Sequence, residues 1–295
     1  MSAEAQARAS VDQLLDVLDL DASRARTTED IFTGRSHSMP TGRIYGGQVL
    51  GQSLLAAERT MPPDRAAHSM HGYFLRPGDS AQGVTISVDR IHDGRSFSTR
   101  RAQAYQNGVP IFSMIASFQD EAPGLEHAAP MPTGIPEPED LLPDEDLVSG
   151  AGATALRMLT ERPVDTRHVQ SPIYLTADGE RAAHQAVWMR MRAPMPDDQR
   201  LHRAALAYLS DMTIQESILR AHGIAWATPG LKVASLDHAM WWHRPVRVDD
   251  WMLFVQKSPN ARGGRGLATG RIYSRDGVLA ASVTQEIMIR VPEAG

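Results

Sequence analysis

The 295-residue chain contains no cysteine, so it has no disulfide framework, no thiolate nucleophile and no cysteine metal ligand. It also lacks an excess of basic residues: 30 Lys and Arg stand against 35 Asp and Glu, for a formal charge of -5. That balance gives no net attraction to nucleic acid or an anionic lipid surface, and nucleic acid is not expected as a partner. No apolar run approaches the roughly 18 residues that span a bilayer, so no membrane insertion is expected. The opening MSAEAQARASVDQLLDVLDL mixes Val11, Leu14, Leu15, Val17 and Leu18 with acids, which predicts a short amphipathic helix instead of a signal peptide. The closing PEAG is neither a peroxisomal nor a lipidation signal, and the expected location is the cytoplasm.

What is present is ordinary globular composition, with 42% hydrophobic and 22% charged residues. The length exceeds a usual single core and predicts two domains. Between Asp120 and Leu147 lie six prolines, Pro123, Pro130, Pro132, Pro136, Pro138 and Pro143, with a surplus of acids and little apolar periodicity. The expected division is therefore residues 1–119, a linker at 120–150, and residues 151–295.

The segments on either side resemble each other. In the first, YFLRPGD leads to VTISVDRI, STRRAQAY, the pair Asn107-Gly108 and VPIFSMIASF; in the second, WWHRPVRVDD leads to WMLFVQK, LATGRIY, Asp276-Gly277 and VLAASVTQEIMI. Arg244 follows Arg76 by 168 residues and Gly277 follows Gly108 by 169. Asn-Gly and Asp-Gly between alternating apolar runs predict type I′ hairpins, in which both turn residues take positive φ. Each half also carries one helical pattern before its strands, at 47–60 and at 203–222. The expected class is α+β, one helix against an antiparallel sheet in each half.

The strings GGQVLGQSLLAA, HSMHGYFLRPGDS, DGRSFSTRRAQAYQNG, ALAYLSD, SLDHAMWWHRP and DGVLAASVTQE, ordered over about residues 10–291, resemble the acyl-CoA thioesterase II family. The resemblance implies a double hotdog, two sheets each wrapped around a central helix and joined side by side. It implies hydrolysis of fatty acyl-CoA by an aspartate, a serine or threonine, and a glutamine of the second half, here Asp211, Ser235 and Gln285. Acyl-CoA is then the expected partner and a homo-oligomer, dimer or higher, the expected assembly. No cofactor is expected.

The repeat offers a test within the chain, because residues that keep the fold should recur and residues that do chemistry need not. Gln285 falls on Ala116 at offset 169, Ser235 on Ala67 at offset 168, and the first helix has no acid in its body where the second has Asp211. Period-2 alternation over 278–290 puts Gln285 as the lone polar member of an apolar face, with Ser282, Thr284, Glu286 and Arg290 opposite. Helical spacing puts Asp211 on a stripe with Ala204, Ala207, Ile214 and Ile218. A structural amide and a kink-bound aspartate are the bland alternatives for these two. For Ser235 the strand pattern says little, and its role rests on the resemblance. An ionised Asp211 would accept a proton from a water that Ser235 and Gln285 also hold. A developing oxyanion would want backbone donors, and Gly46 and Gly47 at a helix start are the candidates.

Other signals point elsewhere or nowhere. No G-x-S-x-G string marks a serine nucleophile. The cluster Gly263, Gly264, Gly266 and Gly270 lacks a P-loop lysine and precedes a strand, so it predicts a hairpin loop or bulge. His68 with His71, and Asp237 with His238 and His243, have the wrong parity for a shared metal, and none is expected. Lys257, Arg262 and Arg265 are candidates for the CoA phosphates. Two competing functions stay open: an enoyl-thioester hydratase or dehydratase, which needs an Asp-His pair such as Asp211 with His238, and an acyl-CoA-binding module without turnover.

Overall fold

The computed structural model describes residues 2–22, 29–148, 159–177 and 181–291. The boundary expected at 150/151 and the terminal PEAG lie outside the described residues. After helix α1 (Ala3–Leu18) the first half runs β1 (Asp21–Ala22), β2 (Asp30–Gly34), α2 (Gly46–Glu58), β3 (Arg65–Phe74), β4 (Val84–Asp93), β5 (Phe97–Gln106) and β6 (Val109–Asp120). A short helix α3 (Asp144–Leu147) precedes β7 (Val164–His168) and β8 (His184–Met191). Then come α4 (Gln199–Ser210), α5 (Glu216–Ala221), β9 (Lys232–Ser235), β10 (Asp237–Trp242), β11 (Met252–Arg262), β12 (Arg265–Ser274) and β13 (Leu279–Arg290).

All thirteen described strands form one antiparallel sheet in the order β1-β2-β4-β5-β6-β3-β10-β13-β12-β11-β8-β7, with β9 also on β13. The order is a palindrome of the repeat: β2-β4-β5-β6-β3 meets its counterpart β8-β11-β12-β13-β10, and the seam is the β3–β10 ladder. The ladder runs from Asp237 opposite Tyr73 to Trp241 opposite Ser69, so its centre is Ala239 opposite His71, which are 168 residues apart. The repeat offset read from sequence is thus the two-fold relation about the seam.

One face of the sheet is buried against α2 in the first half and α5 in the second, with α4 packed on α2. Helices α2 and α4 cross with their backbones almost touching. A Cβ at Gly51 would come within 2.8 Å of the Ala204 carbonyl, and one at Gly47 within 2.4 Å of the Tyr208 carbonyl. Glycine is required at both places by packing. Val11, Leu14, Val17 and Leu18 of α1 are buried in the same core, as the amphipathic pattern predicts.

Two local expectations are corrected. The helix read over 203–222 is two helices, α4 and α5, broken at 211–215. There the Met212 N–H turns back to the Leu209 carbonyl and the Glu216 N–H to that of Thr213, i to i+3 closures that tighten and end the helix. The Asn107-Gly108 turn has positive φ at both residues (51° and 75°), but at Asp276-Gly277 only the glycine does (88°). A longer turn, closed by the Gly277 N–H on the Ser274 carbonyl, replaces the type I′ pair there. Gly263 and Gly264, both at positive φ, form the tight turn between β11 and β12.

The proline-rich segment is held against the outer face of the second half. Trp188 Nε1 donates to the Pro136 carbonyl at 2.9 Å, Tyr273 to that of Pro130 at 3.2 Å, and Met131, Ile135 and Leu141 pack on Trp188, Trp251, Leu253 and Tyr273. The expected linker thus carries the short helix α3, and its side chains and carbonyls cover a sheet face that solvent would otherwise meet. Among the described residues, no helix is long and apolar enough to cross a membrane.

Candidate active site

The break between α4 and α5 places Asp211 as the C-cap of α4, not in mid-stripe as the helical spacing predicts. From there its carboxylate faces the first turn of α2 and the inner face of β13. Gln285 Nε2 donates to Asp211 Oδ1 at 2.6 Å, and Ser235 Oγ donates to the same oxygen at 3.2 Å. The backbone N–H of Gly47 also donates to this carboxylate. At Gly46 a Cβ would come within 2.8 Å of Oδ2, so the glycine leaves room beside the acid. The structure therefore brings Asp211, Ser235, Gln285, Gly46 and Gly47 together, although the Gly47 N–H expected to serve an oxyanion is directed at Asp211.

The electrostatics follow from depth. Asp211 is 3% exposed, and burial raises its carboxyl to about 6 despite the hydrogen bonds from Gln285, Ser235, Gly47 and Gln215 that favour its ionised form. A buried carboxylate titrating near neutrality is what general-base work needs. Gln285 is fully buried on the apolar face of β13, as the alternation predicts, and its Oε1 has no partner among the described residues. Ser235 ends β9 opposite Ile287 and accepts from Gln215 Nε2 at 3.1 Å.

Three further neighbours complete the site: Ser210 and Gln215, which no sequence argument named, and His238, which was expected only as a direct partner of Asp211. His238 Nδ1 lies 3.1 Å from Gln285 Nε2, and its Nε2 lies 2.9 Å from Ser210 Oγ. Gln285 thus stands between His238 and Asp211, and the Asp-His pair of a hydratase is not formed. Gln215, in the helix break, is the third. A period rule that continues a helix through 203–222 gives no hint of it.

The basic candidates are not at the carboxylate. Lys257 is exposed on the face of β11 opposite to buried Gln256, and Arg265 pairs with Glu286 at 3.1 Å on the outer face. Arg262 borders a separate shallow cavity with Ile218 and Leu219.

A larger cavity of about 580 Å³ opens beside the site, walled by Tyr45, Leu159, Tyr208, Met212 and Trp226. Tyr45 adjoins Gly46, while Tyr208 and Met212 bracket Asp211. Part of its wall is charged: Glu216 accepts from Trp226 Nε1 at 3.1 Å and from His168 Nε2 at 2.8 Å, and His168 Nδ1 meets Asp144 at 2.9 Å. Burial lowers the His168 imidazole, but Asp144 and Glu216 outweigh it and hold it up at about 10, so it is a buried cation between two carboxylates. This cluster ties α3 to β7 and α5 and fixes that wall.

The first half holds a relic of the same geometry. Helix α4 starts 153 residues after α2, Gln199 against Gly46, so Glu58, the last residue of α2, falls on Asp211. This corrects the expectation that the first helix carries no matching acid. Around Glu58 the partners are gone: Ser235 is replaced by Ala67 and Gln285 by Ala116, and no side-chain donor among the described residues reaches the carboxyl. Burial pushes it up to about 8, with Arg203, Arg200 and the Ala67 N–H offsetting only part of the cost. Unfolded Glu58 releases its proton in the ordinary glutamate range while the folded residue keeps it, so stability is lost as pH rises from that range through about 8. Glu58→Gln should remove this loss. Its melting temperature relative to wild type is expected to rise between about pH 5 and about pH 8, by the equivalent of roughly 3–5 kcal/mol. A difference that stays constant across that range in paired melting curves would mean the acid is not held neutral.

Known proteins resemble this chain across both halves. Residues 158–288 match the acyl-CoA thioesterase family and residues 35–119 its N-terminal domain. Acyl-coenzyme A thioesterase 8 of Homo sapiens is 38% identical over 276 residues, 89% of this chain and 85% of that protein. The crystal structure of an acyl-CoA thioesterase II from Mycobacterium marinum superposes with a TM-score of 0.78 at 40% identity, covering 96% of this chain and 100% of the other. A protein of unknown function with a hot dog fold from Alicyclobacillus acidocaldarius, 19% identical, superposes with a TM-score of 0.76 over 95% of this chain and 98% of its own, which extends the likeness of fold beyond likeness of sequence. With two matching family regions on either side of a shared seam, and a relative 38% identical over most of its length, the chain belongs to the acyl-CoA thioesterase family.

Proposed function

We propose that the protein hydrolyses fatty acyl-CoA to free fatty acid and CoA through a water held by Asp211, Ser235 and Gln285. The observation that carries this reading is the convergence of Ser235 Oγ and Gln285 Nε2 on one oxygen of a buried carboxylate beside an apolar cavity. Ionised Asp211 takes a proton from the water as the water oxygen attacks the thioester carbonyl. The C–S bond then breaks, and the departing thiolate of CoA needs little acid help. The cavity walled by Tyr45, Tyr208 and Met212 takes the acyl chain, with Gly46 leaving room for the thioester beside the carboxylate.

Ser235, Ile287 and Gly266 are in register across β9, β13 and β12. The Arg262–Arg265 turn therefore projects beyond the Ser235 end of the sheet, a position suited to the CoA phosphates; Lys257 is farther along β11 and less suited. In the same reading the halves 1–119 and 151–295 are two hotdog domains in tandem, the second carrying the chemistry. A homo-oligomer in the cytoplasm belongs to this reading as well.

Thiol release from saturated acyl-CoA, measured beside the enoyl absorbance of crotonyl-CoA, tests the reaction. Free CoA from the saturated substrates is expected, with no hydration of the enoyl group. Tight acyl-CoA binding without thiol release would contradict the proposal, and so would loss of enoyl absorbance with the thioester intact.

A further inference from the structure

His238 and Ser210 lie behind Gln285, away from Ser235, and are completely buried. Their hydrogen bonds can be oriented from one fixed end. Ser210 Oγ donates to the Ala207 carbonyl at 2.9 Å, the usual back-bond of a helical serine, so its proton is committed. Toward His238 Nε2, 2.9 Å away, the same oxygen can only accept, which puts the imidazole proton on Nε2. Nδ1 is then a bare acceptor, and it faces Gln285 Nε2 at 3.1 Å. The other proton of that amide goes to Asp211 Oδ1 at 2.6 Å.

Both amide protons of Gln285 are thereby used, and its carbonyl Oε1 is the end left over. That oxygen is buried and has no partner among the described residues. An unpaired buried carbonyl is destabilising, so an arrangement that enforces one calls for a reason. If the amide flipped, Oε1 would face both the Asp211 carboxylate and the lone pair of Nδ1. His238 and Asp211 together forbid it. Burial also pushes the imidazole down to about 3, so His238 is neutral at any working pH and its Nδ1 stays an acceptor.

The internal repeat supplies an independent observation. By the helix offset of 153, Ser210 falls on Ala57, and by the seam offset of 168, His238 falls on Met70. In the half where Gln285 is replaced by Ala116, both residues behind it are apolar as well. Ala57 and Met70 are buried in equivalent surroundings, so the fold does not need the polar pair; it accompanies the glutamine.

We infer that His238, anchored by Ser210, is a positioning residue that locks the Gln285 amide with its carbonyl toward the attacking water. Two acceptors, Asp211 and Gln285 Oε1, then accept hydrogen bonds from the two water protons and leave an oxygen lone pair for the thioester carbonyl; Asp211 alone removes a proton as the C–O bond forms. The inference rests on the proposed roles of Asp211 and Gln285. It differs from the Asp-His pairing of a hydratase, because His238 neither touches Asp211 nor exchanges a proton.

The test is a double-mutant cycle with His238→Phe, which keeps a ring in the space and removes both nitrogens, and Gln285→Ala. In the otherwise wild-type protein, His238→Phe should lower kcat about 10-fold to 100-fold with KM within about twofold. In the Gln285→Ala background it should lower kcat hardly further, because its effect passes through the amide. His238→Asn, whose side-chain carbonyl can accept from Gln285, should recover part of the loss. Ser210→Ala carries the same cycle with a smaller effect should the phenylalanine variant not fold. Wild-type kcat in both His238→Phe and Ser210→Ala would overturn the inference, as would a loss of the same factor with and without Gln285. Failure of the underlying catalytic reading is distinguishable, since Gln285→Ala alone would then retain its rate.

Discussion

Asp211→Asn is expected to lower thioesterase turnover by about 10² to 10⁴, the usual contribution of a positioned general base, while acyl-CoA affinity stays within a few-fold of wild type. The amide matches the carboxylate in shape and can still accept from Ser235, but it cannot take the proton of the water. Binding is spared because the cavity beside the site is built mainly from Tyr45, Tyr208, Met212 and other side chains that the substitution leaves in place. Nor should the loss reflect unfolding. Burial raises the Asp211 carboxyl to about 6, so the ionised group costs the fold stability as pH rises from the ordinary aspartate range through about 6. Above that range a neutral amide is spared the cost, and the variant should melt at or above the wild-type temperature, the common trade between a strained site and stability. Thiol release, acyl-CoA affinity and melting temperature on the two purified proteins check all three statements. An Asn variant keeping more than half the wild-type rate would remove Asp211 from the mechanism.

Gln285→Ala is expected to lower kcat at least about tenfold, with a small change in melting temperature. The amide donates to Asp211 and to His238, and its Oε1 is buried without a partner among the described residues, so truncation removes an unsatisfied group along with two hydrogen bonds. The opposed terms leave a small net effect on stability. The hydrogen bond from Gln285 also holds the Asp211 carboxyl down, so removing it should move the acid side of the rate profile to higher pH. A large fall in melting temperature with a proportionate loss of folded protein, and an unmoved profile in what remains, would mark Gln285 as a residue of the sheet alone.

Much of this was legible from local patterns. The offset of 168 between the Arg-Pro pairs is the symmetry of the β3–β10 ladder, because the residue at the seam must pair with its own counterpart. Alternation along β13 placed Gln285 on the buried face, since strand periodicity is exact and the opposite face is polar. The helix break was not legible: residues 211–215 contain neither proline nor glycine, and Ile214 and Ile218 continue the apolar stripe. What ends α4 there is tertiary, a carboxylate captured by Gln285, Ser235 and the start of α2.

Glu58 was hidden for a related reason. The halves were aligned on their strands at 168, whereas the helices stand 153 apart because the second half inserts α5 and its flanking loops before β9. His238 was weighed as a metal ligand and as a partner of Asp211. Its actual neighbours, Ser210 and Gln285, come from a helix and a strand far apart in sequence and carry no shared spacing.

The most direct measurement is the pH dependence of kcat for wild type and Asp211→Asn with one saturated acyl-CoA. If ionised Asp211 activates the water, wild-type kcat falls on the acid side with a midpoint near the raised carboxyl value of about 6, and the residual rate of the Asn variant shows no such limb. The same acid limb persisting in the variant would assign it to another group and contradict the role of Asp211.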